Sequence, residues 1–352
     1  MTLYNRIEGK LLKEQLHSAP RLSRTTLSFY KYHHLPDPKS FRDQLYVLLN
    51  TLGVLGRIYV ATEGINAQLN VPTENLEAFR KSLYSINFLN KVRLNIAVDD
   101  NGKSFFKLKI LVRNKIVADG LKDTSFDVTD CGVHVSAKEF NDLADDSNTI
   151  IIDMRNHYES EVGRFKNAIC PDVDTFREEL QIAEDLMANH KGKNLLMYCT
   201  GGIRCEKASA WMKYKGFKNV FQLEGGIIEY ARQVREQGLE SKFIGKNFVF
   251  DERLGERITD DIISSCHQCG TPCDDHTNCK NDGCHLLFIQ CEACAGKFNG
   301  CCSEECQEIV MLPADKQKEI RRGINKGRQV FKKGRSQHLL FNSVENPSSS
   351  LL

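Results

Sequence analysis

The sequence predicts a multidomain chain in which an α+β domain is followed by an α/β domain and a cysteine-rich segment. Strand and helix patterns come first in the order β-α-β-β-α-β, and short apolar runs then alternate with helical segments. From about residue 262 the composition changes to Cys, His, Asn, Asp and Gly. The length of 352 residues agrees with two or three domains of roughly 100–200 residues each.

The first domain is expected at residues 25–125, after a lead-in at 1–24. Strand patterns lie at 25–32, at 57–71 (two strands joined at the Glu63-Gly64 turn), near 91–98 and at 105–113. Helical spacing lies at 39–49 and 74–83. This order is typical of a ferredoxin-like, or acylphosphatase-like, domain with two helices packed on one antiparallel sheet.

The second domain is expected at residues 130–240. Its apolar runs, which suit strands buried on both faces, are 149–153, 194–198 and 219–223. Helical segments near 175–189 and 206–215 separate them. Strands that alternate with helices predict a parallel sheet, and such sheets bind ligands at the carboxyl ends of their strands.

A cysteine lies at one of these strand ends, in the run YCTGGIRCEK at 198–207. The backbone N–H groups of a Gly-containing loop can form an anion-binding nest, and the following helix adds its positive N-terminus. Together with Arg204, these groups should lower the pKa of the Cys199 thiol and favour the nucleophilic thiolate. We therefore predict Cys199 and Arg204 as catalytic residues. The loop residues expected to support the anion are Thr200, Gly201, Gly202 and Ile203.

The length of this loop distinguishes two classes of cysteine enzyme. Phosphatases with a Cys-x5-Arg loop have seven residues from Cys to Arg, whereas Cys199 to Arg204 spans six. The shorter loop resembles that of rhodaneses, whose cysteine carries a persulfide. The alternative is an unreactive buried cysteine at the end of a core strand.

Two further motifs extend the likeness to rhodaneses. Asp153 and Arg155, with Glu159 nearby, resemble the rhodanese strand that ends in Asp-x-Arg, and 224–226 (EGG) resembles the turn after the last strand. We expect Asp153 and Arg155 to support the loop or orient substrate, with a structural salt bridge as the alternative. Cys205 either resolves a persulfide or disulfide, or packs in the first helical turn.

The cysteine-rich segment at 262–310 predicts metal binding. Short spacers allow two thiolates to reach one metal, so eight cysteines can form two tetrahedral sites. These eight are Cys266, Cys269, Cys279, Cys284, Cys291, Cys294, Cys302 and Cys306. Up to two structural zinc ions are expected, with iron–sulfur clusters as the alternative, and spacing leaves sequential and interleaved pairing open. The segment has few core-forming residues, so metal is expected to supply its folding energy.

The C-terminal region, 311–352, is expected to contain a basic segment and a flexible tail. Nine Lys/Arg and one Glu lie between Lys316 and Arg335, a pattern that suits phosphate binding or, alternatively, a solvated tail. No apolar run approaches the ~18 residues of a membrane span. The polar N-terminus does not resemble a signal peptide, so a cytoplasmic protein with reduced thiols is expected.

Taken together, the motifs closely resemble the bacterial rhodanese-domain tRNA uridine hydroxylases. The likeness runs from about residue 28 to 306 and is carried by the order of domains and by residues 198–211, 224–238, 244–258 and 266–291. It implies that Cys199 is the key cysteine and that the wobble uridine in the tRNA anticodon loop is converted to 5-hydroxyuridine. Molecular oxygen is the implied co-substrate. No Gly-rich NAD or FAD fingerprint is found in the sequence.

Two other functions remain open. A sulfurtransferase that acts as a persulfide carrier needs only Cys199 and its loop, and thiosulfate:cyanide turnover without an effect on RNA would support it. A non-catalytic, zinc-dependent RNA-binding scaffold would retain its function after Cys199→Ala.

Overall fold

The computed structural model describes residues 23–100, 102–121, 126–322, 336–341, 344 and 346–347. The predicted lead-in lies almost wholly outside these ranges. The same holds for residues 323–335 of the predicted basic segment and for much of the tail. Within the described ranges, no helix combines the length and apolarity needed to span a membrane.

The N-terminal domain has the predicted order of elements. These are β1 (Arg24–Tyr32), α1 (Pro38–Thr51), β2 (Leu55–Ala61), β3 (Gly64–Pro72), α2 (Leu76–Tyr84), β4 (Asn95–Ile96) and β5 (Leu108–Val112). The strand order is β4-β1-β3-β2-β5. Strands β1 to β4 pair antiparallel, but β5 runs parallel to β2, so the expectation of a purely antiparallel sheet is wrong at that edge.

Local chemistry explains where α1 begins. The Asp37 carboxylate accepts hydrogen bonds from the backbone N–H groups of Lys39 and Ser40, and Pro38 occupies the first turn. The inward face of β1 buries Leu27 and Phe29 in the core that α1 and α2 cover. Apolar side chains therefore lie between the sheet and its two helices.

The second domain contains the predicted parallel sheet. Its elements are β6 (Val133–Val135), α3 (Ala137–Ala144), β7 (Thr149–Asp153), α4 (His157–Ser160), β8 (Gly163–Phe165), α5 (Phe176–Met187), β9 (Asn194–Tyr198), α6 (Ile203–Tyr214), β10 (Asn219–Leu223) and α7 (Gly226–Gln237). The strand order is β6-β10-β9-β7, with every pair parallel. Strand β9 is therefore central, and Cys199 lies immediately after its carboxyl end.

The remaining elements follow this domain in the chain. They are β11 (Phe243–Asn247), β12 (Glu256–Arg257), β13 (His276–Asn278), β14 (Leu287–Ile289), α8 (Glu292–Lys297), α9 (Glu304–Met311) and α10 (Ala314–Arg321). Strand β11 pairs with both β8 and β12, while β13 and β14 form a hairpin in the cysteine-rich segment.

The described part of the predicted flexible tail makes specific contacts. Leu339 is buried in the cluster that contains Cys279 and Phe288, and the Asn346 side-chain oxygen accepts a hydrogen bond of 2.7 Å from the Cys170 N–H. These residues pack onto the body of the protein, which the composition of the tail did not predict.

Candidate active site

Cys199 is held in a tight turn between β9 and α6. Gly202 adopts a left-handed conformation with φ of 96°, which favours glycine, and α6 begins at the next residue. The Gly202 N–H donates a hydrogen bond of 3.1 Å to the Cys199 sulfur. The Cys199 side chain is buried, with 1% relative exposure.

The surroundings of this sulfur favour its thiolate form. Burial alone would raise the pKa of Cys199, because it disfavours charge. A hydrogen bond with the Cys205 thiol, the positive charge of Arg204 and the backbone N–H groups of Cys205 and Gly202 outweigh burial and lower this pKa to about 6. Burial and the Cys199 charge raise the pKa of Cys205 well above its ordinary value, so Cys205 remains a neutral donor.

Arg204 acts on Cys199 through its charge while its hydrogen bonds go elsewhere. Its guanidinium makes two bonds of 2.8 Å to the buried Glu159 carboxylate. Thr200 completes the group, with its hydroxyl 3.2 Å from the same carboxylate. A bidentate pair of this kind fixes the arginine fork, so Glu159 is a positioning residue. The sequence placed Glu159 near Asp153 and Arg155 but gave no indication that Glu159 pairs with Arg204.

Asp153 and Arg155 form a structural ion pair. Two hydrogen bonds of 2.8 and 2.6 Å join them, both side chains are fully buried, and neither lines the cavity described below. The Tyr198 hydroxyl donates a 2.6 Å hydrogen bond to Asp153. This geometry favours the structural alternative over contact with substrate. Any support that the pair gives to the cysteine loop acts through Tyr198, the residue before Cys199.

The turn after β10 packs directly on the cysteine loop. The Ile227 N–H donates a 3.0 Å hydrogen bond to the Cys199 carbonyl. Gly226 has a positive φ of 66°, and a Cβ atom there would lie 2.5 Å from the same carbonyl oxygen. This close backbone contact explains why a glycine occupies the position.

The N-terminal domain also contacts the loop and the first turns of α6. The Asn95 amide donates to the Gly201 carbonyl at 3.2 Å, and the Tyr30 hydroxyl donates to Glu206 at 2.9 Å. Lys207 is buried and forms ion pairs of 2.8 Å with both Glu63 and Asp119. The sequence gave no signal for these contacts, because they join segments more than 80 residues apart.

A cavity of about 1500 Å³ lies against the cysteine loop. Its lining comes mainly from the N-terminal domain, the connection at 112–121, residues 156, 158 and 174–178, the loop itself and residues 249–256. Five predicted site residues line it: Cys199, Thr200, Gly201, Ile203 and Arg204. Aromatic side chains line it as well, including Tyr30, Tyr59, Tyr158 and Phe250.

The arginine side chains that line this cavity differ in whether a carboxylate pairs with them. Arg253 pairs with Asp251 and Glu256, and burial raises the pKa of Glu256 to about 7. Arg113 and Arg177 are exposed, and no carboxylate among the described residues lies within ion-pairing distance of either. The Arg113 guanidinium lies 5.7 Å from the centre of the Tyr59 ring.

The eight predicted metal-ligating cysteines form two clusters. One contains Cys266, Cys269, Cys291 and Cys294, and the other contains Cys279, Cys284, Cys302 and Cys306. The pairing, which spacing had left open, is therefore interleaved. Sulfur–sulfur distances are 3.6 Å between Cys269 and Cys291 in the first cluster, and 3.7 and 3.8 Å from Cys302 to Cys284 and Cys306 in the second. Four thiolates at ~2.3 Å from a tetrahedral zinc ion lie about 3.8 Å apart, so each cluster could hold a metal ion of this kind.

Three known families match successive parts of the chain. Residues 24–116 match the UPF0176 acylphosphatase-like domain, 136–233 the rhodanese-like domain and 244–307 the rhodanese C-terminal family. The tRNA uridine(34) hydroxylase of Enterobacter sp. (strain 638) is 57% identical over 336 residues, which cover 95% of this chain and 96% of that protein. The chain belongs to the tRNA uridine(34) hydroxylase family.

A second relative matches over nearly the whole chain. The tRNA uridine(34) hydroxylase of Photorhabdus laumondii is 56% identical over 347 residues, which cover 98% of both proteins. Among solved structures, the rhodanese-like domain of the Anabaena sp. protein Alr3790 is 16% identical, with a TM-score of 0.25, and the match covers 32% of this chain and 78% of that domain.

Substitution of Gly226 should disturb the cysteine loop directly. Gly226→Ala introduces a Cβ atom against the Cys199 carbonyl, in addition to the cost of about 1–2 kcal/mol for a left-handed alanine. The matched control is Gly238→Ala, where φ is 65° but no atom lies within 4 Å of the new Cβ. Urea unfolding should show a larger loss of stability for Gly226→Ala. Equal losses would mean that the close contact has no energetic effect.

The reactivity of Cys199 should depend on pH with a midpoint near 6. Below that pH the thiol is protonated and alkylation by iodoacetamide slows; above it the thiolate predominates. Cys205→Ala removes a donor to the sulfur and should move the midpoint to higher pH, whereas Cys170→Ala should leave it in place. Mass spectrometry of the Cys199 peptide measures the rate. A midpoint that does not respond to Cys205→Ala would contradict the assigned hydrogen bond.

Proposed function

We propose that this protein hydroxylates C5 of uridine 34 in tRNA, with Cys199 as the nucleophile and molecular oxygen as co-substrate. The observation that carries this proposal is a thiol with a lowered pKa at the wall of a cavity of about 1500 Å³. Pockets for drug-sized ligands occupy roughly 300–1,000 Å³, so a base with its ribose and phosphate fits this volume.

The substrate base would enter from the single-stranded anticodon loop. Sequence-specific RNA recognition commonly uses bases that are splayed out of a loop and stacked on aromatic or Arg side chains. Phe250 lines the cavity with its ring centre 5.8 Å from the Arg204 guanidinium, and Tyr59 pairs similarly with Arg113. These rings are the proposed stacking surfaces near Cys199.

Phosphate binding is assigned to the cations of the cavity that have no carboxylate partner among the described residues. Arg113 and Arg177 meet this condition and are exposed, so they can contact the RNA backbone without breaking an ion pair. The basic segment 316–335, most of which lies outside the described ranges, is proposed to add further phosphate contacts.

The proposed chemistry begins with addition of the Cys199 thiolate to C6 of uracil. The new C6–S bond moves the electron pair of the C5=C6 double bond toward C5 and the C4 carbonyl. C5 then reacts with molecular oxygen and takes up a proton, which gives a C5 hydroperoxide. The Cys205 thiol and the Gly202 N–H, which stabilise the thiolate before addition, can stabilise it again when it leaves.

Two further steps complete the proposed conversion of uridine to 5-hydroxyuridine. Two equivalents of a thiol reductant convert the hydroperoxide to a C5 hydroxyl group, with release of water and formation of a disulfide. Loss of the C5 proton and departure of the Cys199 thiolate restore the double bond. In sum, uridine, oxygen and two thiols give 5-hydroxyuridine, water and a disulfide.

The metal clusters are assigned a structural role. We propose that each binds one zinc ion through four thiolates, because the described sulfur distances suit tetrahedral zinc and the segment has little apolar core. The cytoplasm is the proposed location, since reduced thiols are needed both for these sites and for Cys199.

Replacement of Cys199 should abolish product formation. Cells that lack the wild-type protein would be complemented with wild type, Cys199→Ala or the control Cys170→Ala, and tRNA nucleosides would be measured by mass spectrometry. We expect 5-hydroxyuridine with wild type and the control but not with Cys199→Ala. Full activity of Cys199→Ala would exclude this nucleophile and favour a binding scaffold. Thiosulfate:cyanide turnover without any change in tRNA would favour the sulfurtransferase.

Isotopic labelling tests the oxygen step. Purified wild-type protein would be incubated with tRNA and a thiol reductant under ¹⁸O₂, and in a parallel reaction under ordinary oxygen in H₂¹⁸O. The hydroperoxide route requires one ¹⁸O atom in the product from the gas and none from water. Label derived from water would rule out this route while leaving a role for Cys199 possible.

Arg113→Ala and Arg177→Ala should weaken tRNA binding by removing phosphate contacts. Each substitution is expected to reduce the slope of log K against log salt concentration by about 1. The control is Arg80→Ala on α2, because Arg80 does not line the cavity. Fluorescence anisotropy with labelled tRNA at several salt concentrations measures the slopes. Slopes equal to that of the control would place the RNA backbone elsewhere.

A further inference from the structure

A third group of potential metal ligands lies beside α6, apart from the two four-cysteine clusters. It consists of the Cys131 thiol, the His134 imidazole and the Glu206 carboxylate, whose ligand atoms all lie within 4.8 Å of one another. His134 belongs to the edge strand β6, and Glu206 lies in the first turn of α6. The sequence gave no indication of this group, because Glu206 is 72 residues from His134.

We infer that Cys131, His134 and Glu206 form a third metal site, which takes a divalent ion of the zinc class. Sulfur, imidazole nitrogen and carboxylate oxygen are the three ligand types that proteins offer to zinc. A mixed set of this kind disfavours hard cations such as Mg²⁺ and Ca²⁺, which prefer oxygen ligands. The site thus differs in its chemistry from the clusters of four thiolates.

The geometry requires little change to accept an ion. The His134 Nε2 atom lies 2.9 Å from Glu206 Oε1, and the Cys131 sulfur lies within 4.8 Å of both. Ligands placed ~2.0–2.3 Å from a tetrahedral zinc ion lie about 3–4 Å apart. Small rotations of these side chains would bring the three ligand atoms to these separations and replace the hydrogen bond between His134 and Glu206 with metal–ligand bonds.

The Glu206 carboxylate is held by outer partners, as is common around metal ligands. The Tyr30 hydroxyl donates to Oε1 at 2.9 Å, and the buried Gln222 amide donates to Oε2 at 3.2 Å. Gln222 is itself fixed by a 3.1 Å hydrogen bond to the Gly132 carbonyl. Such partners orient the ligand before the ion arrives.

The site leaves one coordination position open. The side chain of His134 is 41% exposed, whereas that of Glu206 is 15% exposed, so an ion can enter from the solvent side. Three protein ligands with a fourth position for water are typical of reactive rather than purely structural zinc sites. The ion would also tie β6 to the first turn of the helix that follows Cys199, and through Tyr30 to the N-terminal domain.

The test compares metal content between matched variants of the full chain. Wild type, His134→Ala, Cys131→Ser and the control His190→Ala would be prepared without an affinity tag, equilibrated with Zn²⁺ and dialysed. Zinc per chain would then be measured by mass spectrometry. We expect His134→Ala and Cys131→Ser to bind one ion fewer than wild type, and His190→Ala to bind the same number. Because the readout is a difference, it does not depend on occupancy of the four-cysteine clusters.

The affinity of the third site for Zn²⁺ provides a second test of the proposal. Tyr30→Phe removes an outer partner but no ligand, so it should keep the ion at saturation while weakening its binding by roughly 10–100-fold. Co²⁺ added to protein that holds two zinc ions per chain, with the third site left empty, should give a thiolate-to-cobalt absorption band in wild type that is absent in Cys131→Ser. Equal metal content in wild type, His134→Ala and Cys131→Ser, together with no cobalt band that depends on Cys131, would overturn the proposal.

Discussion

The structure around the cysteine loop depends on the burial of a sulfur that carries negative charge. Removing an ion from water is costly unless donors and opposite charge surround it. Around Cys199, the donors are the Gly202 N–H and the Cys205 thiol, and the opposite charge is the Arg204 guanidinium. Arg204 brings a second buried charge, and Glu159 neutralises it through two hydrogen bonds. The ion pair and the left-handed turn at Gly202 follow from this single requirement.

The same constraint explains how the N-terminal domain is attached. A loop that stabilises a buried thiolate must keep its backbone N–H groups in place. Asn95 holds the Gly201 carbonyl from one side, and the backbone of Ile227 holds the Cys199 carbonyl from the other. Lys207 anchors α6 to Glu63 and Asp119 through buried ion pairs. The N-terminal domain thus forms one wall of the cavity and also fixes the loop.

Local patterns predicted much of the fold, because the signals for the elements lie within short windows. The apolar run before Cys199 and the glycines after it were sufficient to place a strand, a tight turn and a helix. The antiparallel expectation was wrong at β5, since a strand pattern does not encode the direction of its partner.

The parts of the site that the sequence did not predict are contacts between residues far apart in the chain. The bond between Arg204 and Glu159 and the group formed by Cys131, His134 and Glu206 join residues that no spacing rule connects. For the eight cysteines, spacing indicated which residues could act as metal ligands but not their grouping, because both pairings give two sets of four.

That grouping affects the order in which the cysteine-rich segment can mature during synthesis. The first cluster consists of Cys266, Cys269, Cys291 and Cys294, and the second ends at Cys306. With sequential pairing, a complete set of four thiolates would emerge from the ribosome at Cys284. With the observed pairing, the nascent chain offers only partial sets until Cys294 has emerged. Any folding energy that metal binding supplies to the segment therefore becomes available late, and the two clusters are completed 12 residues apart, at Cys294 and Cys306.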